Sequence, residues 1–350
     1  MQYTFHIVGL PHTQTTAEYN CCAYTQKVIK FCKMMKDLGH KVFLYGSSEN
    51  EAVCDEFIPC YYKRWSPAEY LDAPFDPQAD HWVRMNHIAW AEITIRAKDK
   101  DFLCLIAGRC QQVLAEKLPY LMAVEFGVGY AGVFAKFKVF ESYAWMHTVY
   151  GQMAGSADRA DGNFYDRVIP NFFDHTQYHV SKKKGDYFLY MGRLTDRKGW
   201  RIAQQACEKI RARLIVAGPG QFDGYGEYVG MVSGEQKANL LADAVAVLCP
   251  SIYIEPFCGV MAEALLSGTP VIATPWGTFS ENIKTGVDGY TCHSFKDFIQ
   301  AMHWCENGML KPGEKIRNRA IDRFSMLELA YHYDHYFDHL YTLWDKGWYA

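Results

Sequence analysis

Hydrophobic positions along the chain follow two alternating rhythms. Short apolar runs bounded by turn residues predict buried strands, and longer stretches with apolar side chains every three or four positions predict covering helices. The first run is Tyr3–Gly9, followed by the polar loop Pro11–Thr16, a periodic helix over Tyr19–Leu38 closed by Gly39, and a second strand over Lys41–Tyr45. That order of strand, loop, helix and strand is a Rossmann-type unit. The alternation continues with a helix at His81–Lys98, a strand at Phe102–Ala107, a helix at Gln111–Lys117 before Pro119, and a strand at Leu121–Val124. Glu125–Gly151 interrupts it. Gly127, Gly129 and Gly132 mark a loop with close backbone approach, and Val139–Tyr150 reads as either a strand end or a helix.

The pattern then restarts. Tyr187–Met191 predicts a strand, Gly192–Trp200 a turn, Arg201–Ile210 a helix and Arg213–Ala217 a strand ended by Gly218-Pro219-Gly220. Beyond these come a strand at Tyr228–Val232, a helix at Ser233–Ala242 capped by Ser233, and a strand at Val245–Cys249 that stops at Pro250. A helix at Val260–Leu266, a strand at Val271–Thr274 and helices at Phe295–Glu306, Pro312–Arg323 and Met326–Trp344 complete the series. A chain of 350 residues suits two domains. The expected boundaries are 1–175 for the first, joined by the C-terminal helix 326–350, and 185–325 for the second. Between them the polar stretch Lys182–Asp186, with its three lysines, reads as a solvated tether.

The chemistry concentrates in the second half. Glu255 and Glu263 stand eight positions apart, with Gly259 and a helix-forming run between and after them. This places Glu255 in a loop, Glu263 inside the following helix, and the amides of Phe257, Cys258, Gly259 and Val260 at the helix N-terminus. Such an N-terminus attracts phosphate, whereas a carboxylate suits the hydroxyls of a sugar. Arg193 and Lys198 lie on a loop at the carboxyl end of a strand, where both can converge on a diphosphate. The combination predicts a sugar attached to a phosphate.

The spacing Glu-(seven residues)-Glu, then Ala-Leu-Leu-Ser-Gly-Thr-Pro-Val-Ile-Ala, Glu281 and Gly286 to Gly289, resembles the donor site of retaining glycosyltransferases of the two-Rossmann-domain (GT-B) architecture, nearest to family 4. Gly-Arg-Leu-(three residues)-Lys-Gly at Gly192–Gly199 and Ile169-Pro170-Asn171-Phe172-Phe173-Asp174 add to it, with Phe172 where glycine is usual. The resemblance implies an α/β fold of two Rossmann-like domains facing a cleft, the first binding the acceptor and the second the nucleotide-sugar donor, with the C-terminal helix packing back on the first. It implies that Glu263 binds the donor ribose, that Glu255 and the following amides face the transferred sugar, and that Arg193 and Lys198 hold the diphosphate. It also implies that His147, with Glu125, Glu141 and Tyr143 as neighbours, reaches the donor sugar from the first domain. The implied enzyme is a hexosyl- or pentosyltransferase working without a metal or cofactor, with a nucleotide-diphosphate sugar as co-substrate. Asp99 and Asp101 form an Asp-x-Asp, but they precede a strand, away from the end where ligands gather.

Composition narrows the partners less. A formal net charge of −3 gives no global attraction to nucleic acid or anionic membrane. The twelve cysteines are scattered without a CxxC pair, which favours a reducing cytoplasm. No apolar run is long enough to span a membrane. Tyr61, Tyr62, Lys63, Arg64 and Trp65 form an aromatic and basic cluster suited to sugar, base or membrane-interface contact, or to an ordinary surface loop. The acceptor is thus either a glycan hydroxyl or a modified DNA base held by Lys63, Arg64, Arg96, Lys98, Lys136 or Lys138. A nucleotide-sugar epimerase and a non-catalytic sugar-binding protein are alternatives from other classes. His332, His335 and His339 have metal-like spacings on the last helix, for which packing against the first domain is the competing explanation.

Overall fold

The computed structural model describes residues 1–66 and 69–345. They form two compact units, one of Met1–Glu141, Met146–Phe172 and the chain from Leu329 onward, the other of Ser142–Trp145 and Phe173–Glu328. Each is built on a parallel sheet.

In the first unit the strands are β1 (Thr4–Val8), β2 (Lys41–Ser47), β3 (Glu56–Tyr61), β4 (Phe102–Leu105), β5 (Met122–Val128), β6 (Phe137–Phe140) and β7 (Arg167–Val168). Their order is β3-β2-β1-β4-β5-β6-β7. Burial of a parallel sheet on both faces explains why its strands read as continuous apolar runs. The order reverses between β1 and β4, so the loops leaving their carboxyl ends open a crevice there.

Several sequence expectations need correction. β3, which ends where the aromatic and basic cluster Tyr61–Trp65 begins, is not among the expected strands; it contains Pro59 and is an edge strand, where a missing N–H is tolerated. The first long helix starts at Ala23 instead of Tyr19. Tyr19 turns inward, its ring 5.1 Å from that of Tyr70 and its hydroxyl donating to the Trp65 carbonyl at 2.6 Å. Strand β5 runs through Gly127 to Val128, so Glu125 sits inside the sheet, and Val139–Tyr150 divides between β6 and a helix at Tyr143–Ala154. Asp101 accepts from Lys98 N at 2.8 Å and pairs with His6 at 3.1 Å, a role internal to the fold.

The last helix, Met326–Asp345, contributes its C-terminal part to the first unit. Phe337 meets Phe5 and Phe102 at 4.7 and 4.8 Å, and Tyr333 meets Phe31 at 5.2 Å. Tyr3 OH donates to Asp338 at 2.7 Å and His40 pairs with Asp334 at 3.0 Å. The helix packs as expected, through the aromatic residues between the three histidines; His332, His335 and His339 are themselves exposed, with the His339 ring 5.7 Å from that of Tyr165.

The second unit has β8 (Tyr187–Met191), β9 (Arg213–Ala217), β10 (Glu227–Tyr228), β11 (Ala246–Cys249), β12 (Val271–Ala273) and β13 (Gly289–Thr291), in the order β10-β9-β8-β11-β12-β13. Alternate residues serve opposite faces. Leu189, Val247 and Val271 pack with Met261 and Leu265, while Phe188, Leu248 and Ile272 pack with Trp200 and Met302. β10 is shorter than the expected Tyr228–Val232, β13 has no counterpart among the expected strands, and Ser233 makes no side-chain cap. Lys184 is no solvated tether residue. Its Nζ donates to Ala242 O and to Thr269 Oγ1 at 2.7 Å, and burial lowers its pKa to about 8.

Candidate functional site

The order of the second sheet reverses between β8 and β11, and the two predicted loops, Gly192–Gly199 and Pro250–Cys258, leave those strands at their carboxyl ends. Gly199 brings the loops together. It has φ +71°, and a Cβ there would lie 1.9 Å from the Pro250 carbonyl oxygen. Only glycine allows that approach. Ile252 N also donates to Arg197 O at 2.9 Å.

This contact seats Lys198 against Glu255. The Lys198 Nζ lies 2.6 Å from Oε1 of Glu255, whose residue is 1% exposed. Ser251 Oγ donates to the same oxygen at 2.7 Å, and Tyr253 OH donates to Oε2 at 2.5 Å. Burial acts to lower the Lys198 pKa, but the adjacent Glu255 carboxylate outweighs it and holds the ammonium above its ordinary range. Burial, with Glu255 nearby, pushes the Tyr253 phenol up to about 12. The Arg197 guanidinium lies over this ring, 4.0 Å from its centroid. Ser251 and Tyr253 were not singled out from sequence; their signal is two hydroxyls four and two positions before Glu255.

A third loop braces the second. Thr274 Oγ1 and Trp276 Nε1 both donate to Ser251 O, at 2.7 and 3.0 Å, and Thr278 N donates to Glu255 O at 3.0 Å. Gly277, at φ +61°, passes so near that a Cβ would meet Glu255 N at 2.6 Å. The helix at Gly259–Leu266 starts one residue earlier than expected, and Cys258 occupies its cap position without a side-chain cap bond. Among the described residues, the amides of Phe257, Cys258, Gly259 and Val260 donate to no backbone carbonyl. They are therefore available to an anion. Phe257 and Cys258 are themselves buried: Phe257 stacks on Phe173 at 6.2 Å, and the Cys258 sulfur lies 4.0 Å from that of Cys249. Arg193 is exposed on the loop after β8, and its carbonyl accepts from Tyr190 OH at 3.0 Å.

Glu263 lies within the helix, as expected, and already has partners. Its Oε1 accepts from Tyr178 OH at 2.9 Å and from Lys237 Nζ at 2.7 Å. Both partners are distant in sequence, and nothing in their local pattern marks them. Glu281 accepts from the amides of Tyr143 and Ala144 at 3.0 Å each, a carboxylate at the positive end of the helix Tyr143–Ala154. His147 is exposed in the second turn of that helix, in the first unit. Its expected neighbours have other engagements. Glu125 accepts from Phe134 N and Ala135 N at 2.8 Å, and Glu141 pairs with Lys27 at 3.0 Å.

Residues 185–306 match the family model described as Glycosyl transferases group 1. This part of the chain is similar to the glycosyl transferases group 1 domain. The domain contains Arg193, Lys198, Glu255 and Glu263, so the whole charged loop system falls within it. An uncharacterized glycosyltransferase of Methanocaldococcus jannaschii is 36% identical over 118 residues, covering 29% of this chain and 30% of that protein. The match thus spans about a third of that relative's length. Among solved structures, the sucrose-phosphate synthase of Thermosynechococcus elongatus superposes with a TM-score of 0.74 at 15% identity, covering 97% of this chain and 100% of the other. Anabaena HepE in complex with UDP and glucose superposes at 0.67 with 16% identity, covering 95% and 99%. Both units share the α/β fold of GT-B glycosyltransferases.

Proposed function

We propose that this chain transfers a sugar, a hexose or pentose, from a nucleotide-diphosphate sugar to a hydroxyl acceptor with retention of anomeric configuration. The observation that carries the reading is the Lys198–Glu255 pair, held at the carboxyl ends of β8 and β11 beside unengaged amides at a helix N-terminus. As the donor's bond breaks, negative charge accumulates on the departing diphosphate. Lys198, Arg193 and the amides of Phe257 to Val260 are set to stabilise it without reorganising. Glu255 keeps Lys198 charged and aimed, and its neighbourhood faces the sugar. Attack comes from the face of the leaving group, whose phosphate takes the acceptor proton, and these residues perform the step without a cofactor. HepE, which binds UDP and glucose, supports a nucleotide-sugar donor.

Glycan synthesis fits better than glycosylation of DNA. Of the basic residues that would form a DNA groove, Arg64 is paired with Glu18 and Glu49, Arg96 with Glu56 and Glu92, and Lys138 with Asp166. Their charge is largely spent within the protein. No helix among the described residues is long and apolar enough to cross a membrane, and the twelve thiols are unbridged, as suits a cytoplasmic protein. The test is a thermal-shift series with UDP-, GDP-, ADP- and CMP-sugars. One nucleotide should raise the melting temperature, and Glu263→Ala should weaken its binding about tenfold by removing a hydrogen-bonding carboxylate. No shift with any of the four would refute the donor assignment.

A further inference from the structure

The edge strand β7 and the last helix enclose a cavity that the transfer reaction does not use. Its volume is about 410 Å³, in the range of small-ligand pockets. Arg167 lines it from the strand, and His332, His335 and His339 line it from the helix, all within the first unit. Positions three and four apart share a helix face, so the three imidazoles form one row. The aspartates of the same helix are turned elsewhere. Asp334 pairs with His40 at 3.0 Å, and Asp338 accepts from Tyr3 OH at 2.7 Å. Glu328, one turn before His332, is not part of the lining, and Asp166, beside Arg167, accepts from Tyr150 OH at 2.7 Å and pairs with Lys138 at 3.3 Å. Among the described residues the cavity is therefore lined by cationic and imidazole groups without a carboxylate.

A buried group at the same place lacks a partner. Tyr336 lines the cavity and is only 2% exposed, yet its hydroxyl has no hydrogen-bond partner among the described residues. Buried polar atoms are nearly always paired, so this one asks for an acceptor from outside the chain. Burial holds the Tyr336 phenol well above its ordinary range; it stays protonated and can donate. Arg167 is similarly underused. One of its nitrogens donates to the Asp166 carbonyl at 3.0 Å, and it makes no ion pair among the described residues. Exposed histidine side chains cover the Tyr336 hydroxyl, and rotamer changes of exposed side chains are fast enough to admit a ligand.

We propose that this cavity binds a small phosphate ester, which the chain holds at the sheet edge without transforming it. A guanidinium matches a phosphoryl group in bidentate geometry. Imidazole nitrogens and the Tyr336 hydroxyl add donors from the helix side, and a phosphoryl group has three oxygens to meet donors arriving from two elements, where a carboxylate has two. Val168 and Ile169 give the carbon portion of the ester an apolar wall. Three histidines on one face also invite a metal ion. Arg167 opposes that with a fixed cation in the same lining, and the described residues contain no group of three His, Cys, Asp or Glu able to hold one. The site stands apart from the transferase reading, whose phosphate-binding residues belong to the second unit.

Histidine-ring NMR of the full chain tests the proposal at fixed pH and ionic strength. The peaks of His332, His335 and His339 are assigned by their loss in the three single His→Gln variants, and ribose 5-phosphate, ribose and Zn²⁺ are titrated in turn. Ribose 5-phosphate should move all three peaks along one saturable curve, and ribose should leave them in place. Arg167→Gln should weaken the fitted Kd at least about tenfold, as expected when a charged hydrogen bond to the ligand is lost. Tyr336→Phe should weaken it about fivefold. The same variant removes an unpaired buried hydroxyl, so its melting temperature should equal or exceed the parent's, which separates lost binding from lost folding. Still peaks under ribose 5-phosphate overturn the site even if the ester is captured by the donor loops. An unchanged Kd in Arg167→Gln overturns it as well, and a saturable response to Zn²⁺ alone would replace it with a metal site.

Discussion

Two buried glutamates show how differently the two units handle charge. Glu125 in the first is fully buried and bonded to two amides and the Tyr130 hydroxyl. Burial dominates, and its pKa rises to about 7. Glu255 in the second is as deeply buried, but a lysine ammonium lies 2.6 Å away. The first arrangement lets a carboxyl group discard its charge; the second fixes a cation beside it. The difference extends to the loops that leave each sheet: those of the second unit present Arg193, Lys198 and amides, while the loop after β1 in the first presents the neutral His12, Thr13, Gln14, Thr15 and Thr16. A charged loop system suits a diphosphate.

Breaking the ion pair should have the largest effect. Lys198→Met leaves the Glu255 charge buried without its partner, which should cost about 3–5 kcal/mol of unfolding free energy. It also removes a cation from the departing diphosphate, so kcat should fall at least about a hundredfold. Urea unfolding of Lys198→Met, Glu255→Gln and the double variant separates the two effects. The double variant should recover much of the stability but none of the rate. Additive losses in stability would mean that the pair is not coupled.

The contrasting carboxyl group predicts a pH effect of intermediate size. The folded protein holds the Glu125 proton more tightly than the unfolded chain does. Its contribution to stability is therefore present below pH 4.5 and is lost as pH rises through 7. Glu125→Gln keeps an acceptor for the Phe134 and Ala135 amides and has no proton to lose. Relative to that variant, the parent should become less stable by about 3 kcal/mol between pH 4.5 and 8. Parallel stability profiles for the two proteins would show that Glu125 is not held neutral.

Much of this contrast was legible in the sequence, but unevenly. Glu255, Glu263, Arg193 and Lys198 are identified by local spacing, because the loop at a strand's carboxyl end and the turn into a helix are both short-range events. Lys237 and Tyr178 escaped notice because they reach Glu263 across 26 and 85 positions. Strand β3 was hidden by Pro59, and β13, three residues between turns, is too short to show a period. The first unit's loop was the least readable. Its five polar residues look alike in sequence, and only the structure separates Thr13, Gln14 and Thr15, which brace the fold, from His12 and Thr16.

The smallest effect concerns the brace behind the charged loop. The Ser251 carbonyl accepts from both Thr274 and Trp276. With two donors on one acceptor, Trp276→Phe leaves the carbonyl satisfied and should cost no more than about 1 kcal/mol. Thr274→Val should behave similarly. Together they leave a buried carbonyl without either donor, so their combined cost should exceed the sum of the single losses by about 1 kcal/mol. Because Ser251 also donates to Glu255, the double variant should loosen the charged loop and reduce nucleotide-sugar binding. Strict additivity in denaturation would mean that the two bonds brace different states of the loop.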